Sequence, residues 1–185
     1  MTGLILLAVV IAVIGYGVFL YNDLVSKRQL KEEGWSGIDV QLKRRTDLIP
    51  NLLETVKGYM THERDTLEAV VKARAAATAG ADAGPAQRSA LEGQLSGALG
   101  KLIAVAEAYP DLKANTTFLE FQNALRGVED EIQLARRYYN GAVRNLNTSV
   151  ESFPQNVVAN AFKFQKGEYF ELDSPAERAV PTVKF

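Results

Sequence analysis

Apolar and polar positions divide the chain into one uninterrupted apolar run and three periodic stripes. Residues 2–22 contain no charged side chain, and the first to appear is Asp23. The run GLILLAVVIAVIGYGVFLY, from Gly3 past Leu20, has about the ~20 apolar residues that a helix needs to cross a ~30 Å hydrocarbon layer. A cleaved signal peptide would carry a basic start and a small-residue cleavage site. MTGL has no basic residue, and YGVFLYNDLV offers no such site. The pattern predicts an uncleaved span, with Tyr16 and Tyr21 at interfacial positions. Ala8 and Ala12 form a small-xxx-small pair, which either brings two membrane helices together or is ordinary membrane composition.

Beyond the span, apolar residues recur at alternating steps of three and four, the spacing of one helix face. The first stripe is Trp35, Ile38, Leu42, Arg45, Ile49, Leu52, Val56, Tyr59 and Glu63, and Leu67, Val70 and Arg74 extend it. Nothing forces a break between residues 20 and 34, so the span and the first soluble helix are expected to form one rod. Pro50 removes one helical hydrogen bond and crowds the carbonyl of Thr46. It either kinks this helix or begins a new one capped by Asp47.

The second stripe is Leu91, Leu95, Ala98, Leu102, Val105 and Tyr109, ending at Pro110; the small-residue loop AAATAGADAGPAQ precedes it. The third runs Phe118, Phe121, Leu125, Val128, Ile132, Ala135, Tyr139, Val143, Leu146, Val150, Phe153 and stops at Pro154. Thr117 and Glu120 have the spacing of a capping box at its start. QNVVANAFKF predicts a short further helix.

These elements predict an all-α fold. An N-terminal transmembrane helix (residues 1–22) continues into an antiparallel bundle of three long helices plus a short C-terminal helix (23–165). An extended tail (166–185) is expected to dock through Phe170, Val180, Val183 and Phe185. Helices of such bundles cross at about 20° with coiled-coil-like packing.

Charge sets orientation and narrows chemistry. Lys27, Arg28 and Lys31 follow the span, and no basic side chain precedes it. The positive-inside rule then places the helical domain in the cytoplasm, with a periplasmic domain as the alternative. Net charge is −1, with 47% apolar and 23% charged residues, so a packed core is expected and no basic field points to nucleic acid. There are no cysteines and one histidine, His62. Thr66 stands where HExxH needs its second histidine, and a di-iron bundle needs two Glu-x-x-His motifs. No metal site, cofactor or nucleophile–base pair is therefore expected.

Lys43, Arg44 and Arg45 are too few for a nucleic-acid surface. Solvated positions beside Asp39 and Asp47 suit the first two. Arg45 and Glu63 fall on the stripe itself. Each is either a paired ion in the seam, setting register, or an edge residue reaching outward. Asn140 and Asn147, each following a stripe residue (Tyr139, Leu146), either hydrogen-bond across the bundle or are ordinary polar edges. Trp35 reads as a core anchor.

The wording of YNDLVSKRQ, WSGIDVQLKRRTDLIPNLLETVKGYMTHE, AYPDLKANTTFLEFQ, RRYYNGAVRNLN and FPQNVVANAFKF with EYFE resembles the LemA family. The resemblance runs from about Tyr21 to the end. It implies a small bacterial protein with a membrane segment and a helical bundle, without catalytic or cofactor residues to carry over. A magnetosome-associated relative points to membrane organisation. The motif residues it places on this chain include Trp35, Asp39, Gln41, Arg44, Arg45, Asp47, Pro50, Asn51, Glu54, Tyr109, Pro110, Tyr139, Asn140, Phe153 and Pro154. The expected function is a non-enzymatic scaffold at the bacterial inner membrane. It would contact lipid and assemble with itself or with a membrane-protein partner. The alternative is a monomeric tethered module recruiting or regulating a protease or sensor.

Overall fold

In a computed structural model, which describes residues 1–171, the chain is all-helical among those residues. Val180, Val183 and Phe185, three of the residues expected to dock the tail, lie outside the described residues. The helices are α1 (Thr2–Lys57), α2 (Arg64–Ala79), α3 (Pro85–Ala106), α4 (Pro110–Lys113), α5 (Thr116–Glu151) and α6 (Gln155–Ala161). The expected all-α class, with a long apolar N-terminal helix, is the fold the chain adopts.

Helix α1 runs through the apolar segment and through Pro50 without a restart. It ends at Lys57, where Gly58 follows and the amides of Tyr59 and Met60 both close onto the Val56 carbonyl, at 3.0 and 2.9 Å. This turn corrects the reading of the first stripe as one helix to Arg74. Tyr59 leaves the core face, Met60 enters it at 1% exposure, and α2 carries Val70 back into the interior. The first turn of α5 also differs from expectation. Its cap is Asn115, whose Oδ1 accepts from the Phe118 amide at 3.0 Å, and not Thr117. Phe153, last in the third stripe, lies past the end of α5 and is exposed.

The described chain forms two units. The first comprises Met1–Gly37 and Ala135–Tyr169. Here Leu20, Leu24, Tyr139, Val143, Leu146 and Ala159 are buried, and the rings of Trp35 and Tyr139 meet at 5.4 Å. Gly34 permits the close approach of α1 and α5: a Cβ at Gly34 would stand 3.0 Å from the Tyr139 Cα. The chain after α6 pairs with Asn147, whose Oδ1 accepts from the Gly167 amide (2.8 Å) and whose Nδ2 donates to the Gly167 carbonyl (3.0 Å).

The second unit comprises Ile38–Leu134 with Phe170 and Glu171. Helices α2 and α3 pack on each other. Ile49, Leu52 and Val56 of α1, Val70 and Ala77 of α2, Leu95, Leu99 and Leu102 of α3, Leu112 of α4 and Leu125 of α5 share one apolar core. The buried face of α3 is Arg88, Glu92, Leu95, Leu99, Leu102 and Ala106; Leu91, Ala98 and Val105 of the expected stripe sit at its edge. Two charges on the core face displaced the stripe that apolar residues alone trace.

Candidate functional site

The second unit buries three charged residues, Arg45, Arg88 and Glu92, in a network that reaches the surface at Glu129 and Asp39. Arg45 occupies a core position of α1 at 1% exposure, one step after Leu42 and one before Ile49. Ionised side chains are costly to remove from water unless each is paired and hydrogen-bonded. The neighbours of its two terminal nitrogens meet that need, while its Nε is buried without a partner. One terminal nitrogen donates to Ser96 Oγ and to Glu129 Oε1, both at 2.6 Å. The other donates to Glu92 Oε2 at 2.5 Å and to the Glu92 carbonyl at 3.2 Å.

Glu92, also 1% exposed, is shared between two arginines. Its Oε1 accepts from Arg88 Nε at 3.1 Å, an i,i+4 contact along α3. Arg88 in turn donates to Asp39 Oδ1 at 3.1 Å and to the Ala81 carbonyl. Arg45, Glu92, Arg88, Glu129 and Asp39 thus link α1, α3 and α5. With two positive and three negative groups they come close to mutual neutralisation. Such an arrangement fixes which helix faces meet and in what register, because a one-residue slip strands a charge. Its geometry, with both terminal nitrogens of Arg45 held and only Nε left without a partner, is that of a structural lock.

Ser96 and Glu129 also border an open cleft of about 430 Å³, floored by Leu99, Gly100, Ile103 and Leu125. A second groove of about 500 Å³ lies along α2, between Met60 and Ala75.

The other expected site residues scatter over both units. Arg44 is exposed. Asp47 is exposed and pairs with Lys43 at 2.6 Å. Asn51 is exposed, and its carbonyl accepts from the Thr55 hydroxyl at 2.9 Å. Pro50 is half-buried within α1. Glu63 precedes α2 and accepts from the Tyr109 hydroxyl at 3.2 Å, so it is half-buried and outside the seam. Desolvation of the Tyr109 phenol itself, and then the Glu63 carboxylate beside it, push that phenol above its ordinary value. Trp35 and Asn140 are half-buried in the first unit. Tyr139 is buried there and donates to the Glu168 carbonyl at 2.8 Å. Desolvation, with a smaller contribution from the Glu168 charge, pushes its phenol up to about 12. Gly3 is exposed and Leu20 is buried against its own unit.

Glu92, Arg88, Ser96 and Glu129 were missed by sequence reasoning. The available signal was Arg45 itself. A cation on a core stripe calls for a carboxylate on a facing one, and Arg88 and Glu92 continue the Leu95 periodicity toward the N-terminus.

The LemA family model matches residues 34–185. Protein LemA of Metamycoplasma hominis is 28% identical over 88% of this chain and 78% of its own length. Magnetosome protein MamQ 2 of Paramagnetospirillum magneticum is 27% identical over 90% of this chain and 70% of its own. MamQ of Magnetospirillum gryphiswaldense is 25% identical over 86% and 64%. A helix whose first stretch is apolar on every side, a packed helical domain and a match covering that domain agree: the chain belongs to the LemA family, as a membrane-associated helical protein.

Proposed function

We propose that this protein is a non-enzymatic, membrane-anchored scaffold. It assembles with itself or organises other membrane proteins at the bacterial inner membrane, with its helical domain on the cytoplasmic side. The observation that carries this reading is the composition of α1. Its first stretch exposes Leu4, Ile5, Leu6, Ile11, Val13, Ile14 and Phe19 and holds no charge, a surface suited to lipid or another apolar helix. The same helix then delivers Arg45 to a neutralised network whose chemistry is spent on register. Similarity to proteins named for the magnetosome supports an organising role over a catalytic one.

A second reading is a monomeric tethered module that recruits or regulates a partner. The cleft at Leu99, Gly100 and Leu125 favours it, being apolar-floored and edged by Arg126 and Asp130. Light scattering in mild detergent, on the full chain and on a chain beginning at Asp23, separates the two. A defined large assembly that collapses to monomers without the apolar segment supports the scaffold. Monomers in both cases overturn it in favour of the tethered module.

A further inference from the structure

The first unit exposes apolar side chains at a second place besides the span. Phe153 is 82% exposed, Val157 60% and Phe162 63%, all on α6 or at its ends. Large apolar groups this open, gathered on one short element, mark a surface that something other than water covers. Their position identifies the covering. Gln155, in the first turn of α6, donates to Asp23 Oδ2 at 2.6 Å, and Asp23 is the first charge after the apolar run. From there α6 runs back along the span. The Phe162 ring packs on Tyr21 at 4.8 Å, and Val158 and Phe162 face Ile14, Gly17 and Val18 across a groove of about 360 Å³. Ile14 precedes Asp23 by nine residues, or roughly 13 Å of helix, so this groove lies beside apolar membrane-spanning sequence.

Polar groups border the element on its other side. Arg28 stands over the Phe164 ring at 5.3 Å, Phe164 packs on Tyr21 at 5.7 Å, and Lys163 and Lys166 follow α6. Aromatic rings beside basic groups at the end of an apolar span are the composition of a membrane interface.

We propose that α6 and its flanking turns are a second membrane-contact element. Val157 and Phe162 insert among lipid acyl chains, and the groove between α1 and α6 holds the chain of an adjacent phospholipid. The inference rests on residues 2–22 spanning the bilayer and is independent of self-assembly. Continuity of the groove with that segment selects lipid over a second copy or a partner helix.

The absence of cysteine from the sequence makes single-site labelling clean. The full chain carrying V157C or F162C, each with a nitroxide label, is reconstituted into phosphatidylcholine–phosphatidylglycerol vesicles. V10C reports the span, and R144C, on the exposed face of α5, reports water. Expected is a ratio of oxygen to nickel-complex accessibility at 157 and 162 several-fold above that at 144 and in the direction of that at 10. Ratios equal to that at 144, with 10 in lipid, overturn the proposal and leave the span intact. Labels shielded from both reagents also overturn it, since protein then covers the face. A water-like ratio at 10 overturns the span and the proposal together.

Discussion

Arg74 donates its Nε to the carbonyl oxygen of Thr46 at 3.1 Å, the acceptor that Pro50 deprives of its helical amide. A proline inside a helix removes the bond to the carbonyl four residues back. Here a side chain from α2 supplies the missing donor, so the defect in α1 becomes a tie between two helices.

The tie predicts non-additivity. Arg74→Ala is expected to destabilise the fold by about 1–3 kcal/mol, because the Thr46 carbonyl then loses its donor. In a Pro50→Ala background the restored amide serves that carbonyl, and the Arg74→Ala cost should shrink to well under half. Denaturant midpoints of the four proteins measure the coupling. Equal costs in both backgrounds would show that Arg74 acts elsewhere.

Arg45 makes a sharper case. Arg45→Ala leaves Glu92 and Glu129 facing each other without their shared cation, and the expected loss is about 3–5 kcal/mol. Arg45→Met combined with Glu92→Met restores neutrality to that pair while leaving Arg88 its Asp39 partner. The double variant should recover much of the loss in chemical denaturation. A single variant within 1 kcal/mol of the parent, against the ~3 expected, would mean the network is solvated in solution.

Gly34 is expected to tolerate no Cβ. The nearest atom is the Cα of Tyr139, which cannot rotate aside as a side chain does. Gly34→Ala should cost about 1–3 kcal/mol despite alanine's higher helix propensity. Thermal unfolding followed by circular dichroism checks the sign, and stabilisation would refute the close approach.

Tyr139 predicts an alkaline limit. A phenol raised in the folded state favours folding while it is protonated. That contribution is complete below the ordinary value of 10.0 and is lost as pH climbs toward about 12. The rise from 10.0 to about 12 corresponds to at most ~3 kcal/mol. Absorbance at the phenolate band should show a late-titrating tyrosine that is absent from Tyr139→Phe, together with loss of helical signal. In Tyr139→Phe the stability should depend less on pH over the same window.

Much of this fold was legible because its pattern is repetitive. The third stripe stays in phase from Phe118 to Val150, and residue after residue of it is buried or half-buried. The apolar run before Asp23 was equally plain. Legibility failed where polarity entered the interior. Arg88 and Glu92 lie on the core face of α3, so tracing apolar residues alone slid its register onto Leu91 and Ala98. The stop after Lys57 escaped because Tyr59 keeps the period while the backbone turns. The Asn147–Gly167 pair was invisible for another reason. Its partner is backbone, and backbone has no sequence signature.

The dispersal of the Arg45 network along the chain fixes an order of events during synthesis. Arg45 emerges from the ribosome long before its counter-ions, since Glu92 lies 47 residues later and Glu129 lies 84. Chains are made from the N-terminus at a few to tens of residues per second. For that interval the arginine stays hydrated and the later half of α1 has no interior to enter. The apolar segment needs no such partner and is ready for the bilayer as soon as it appears. The apolar segment is therefore complete first, and closure of the charged interior waits until most of the chain has been translated.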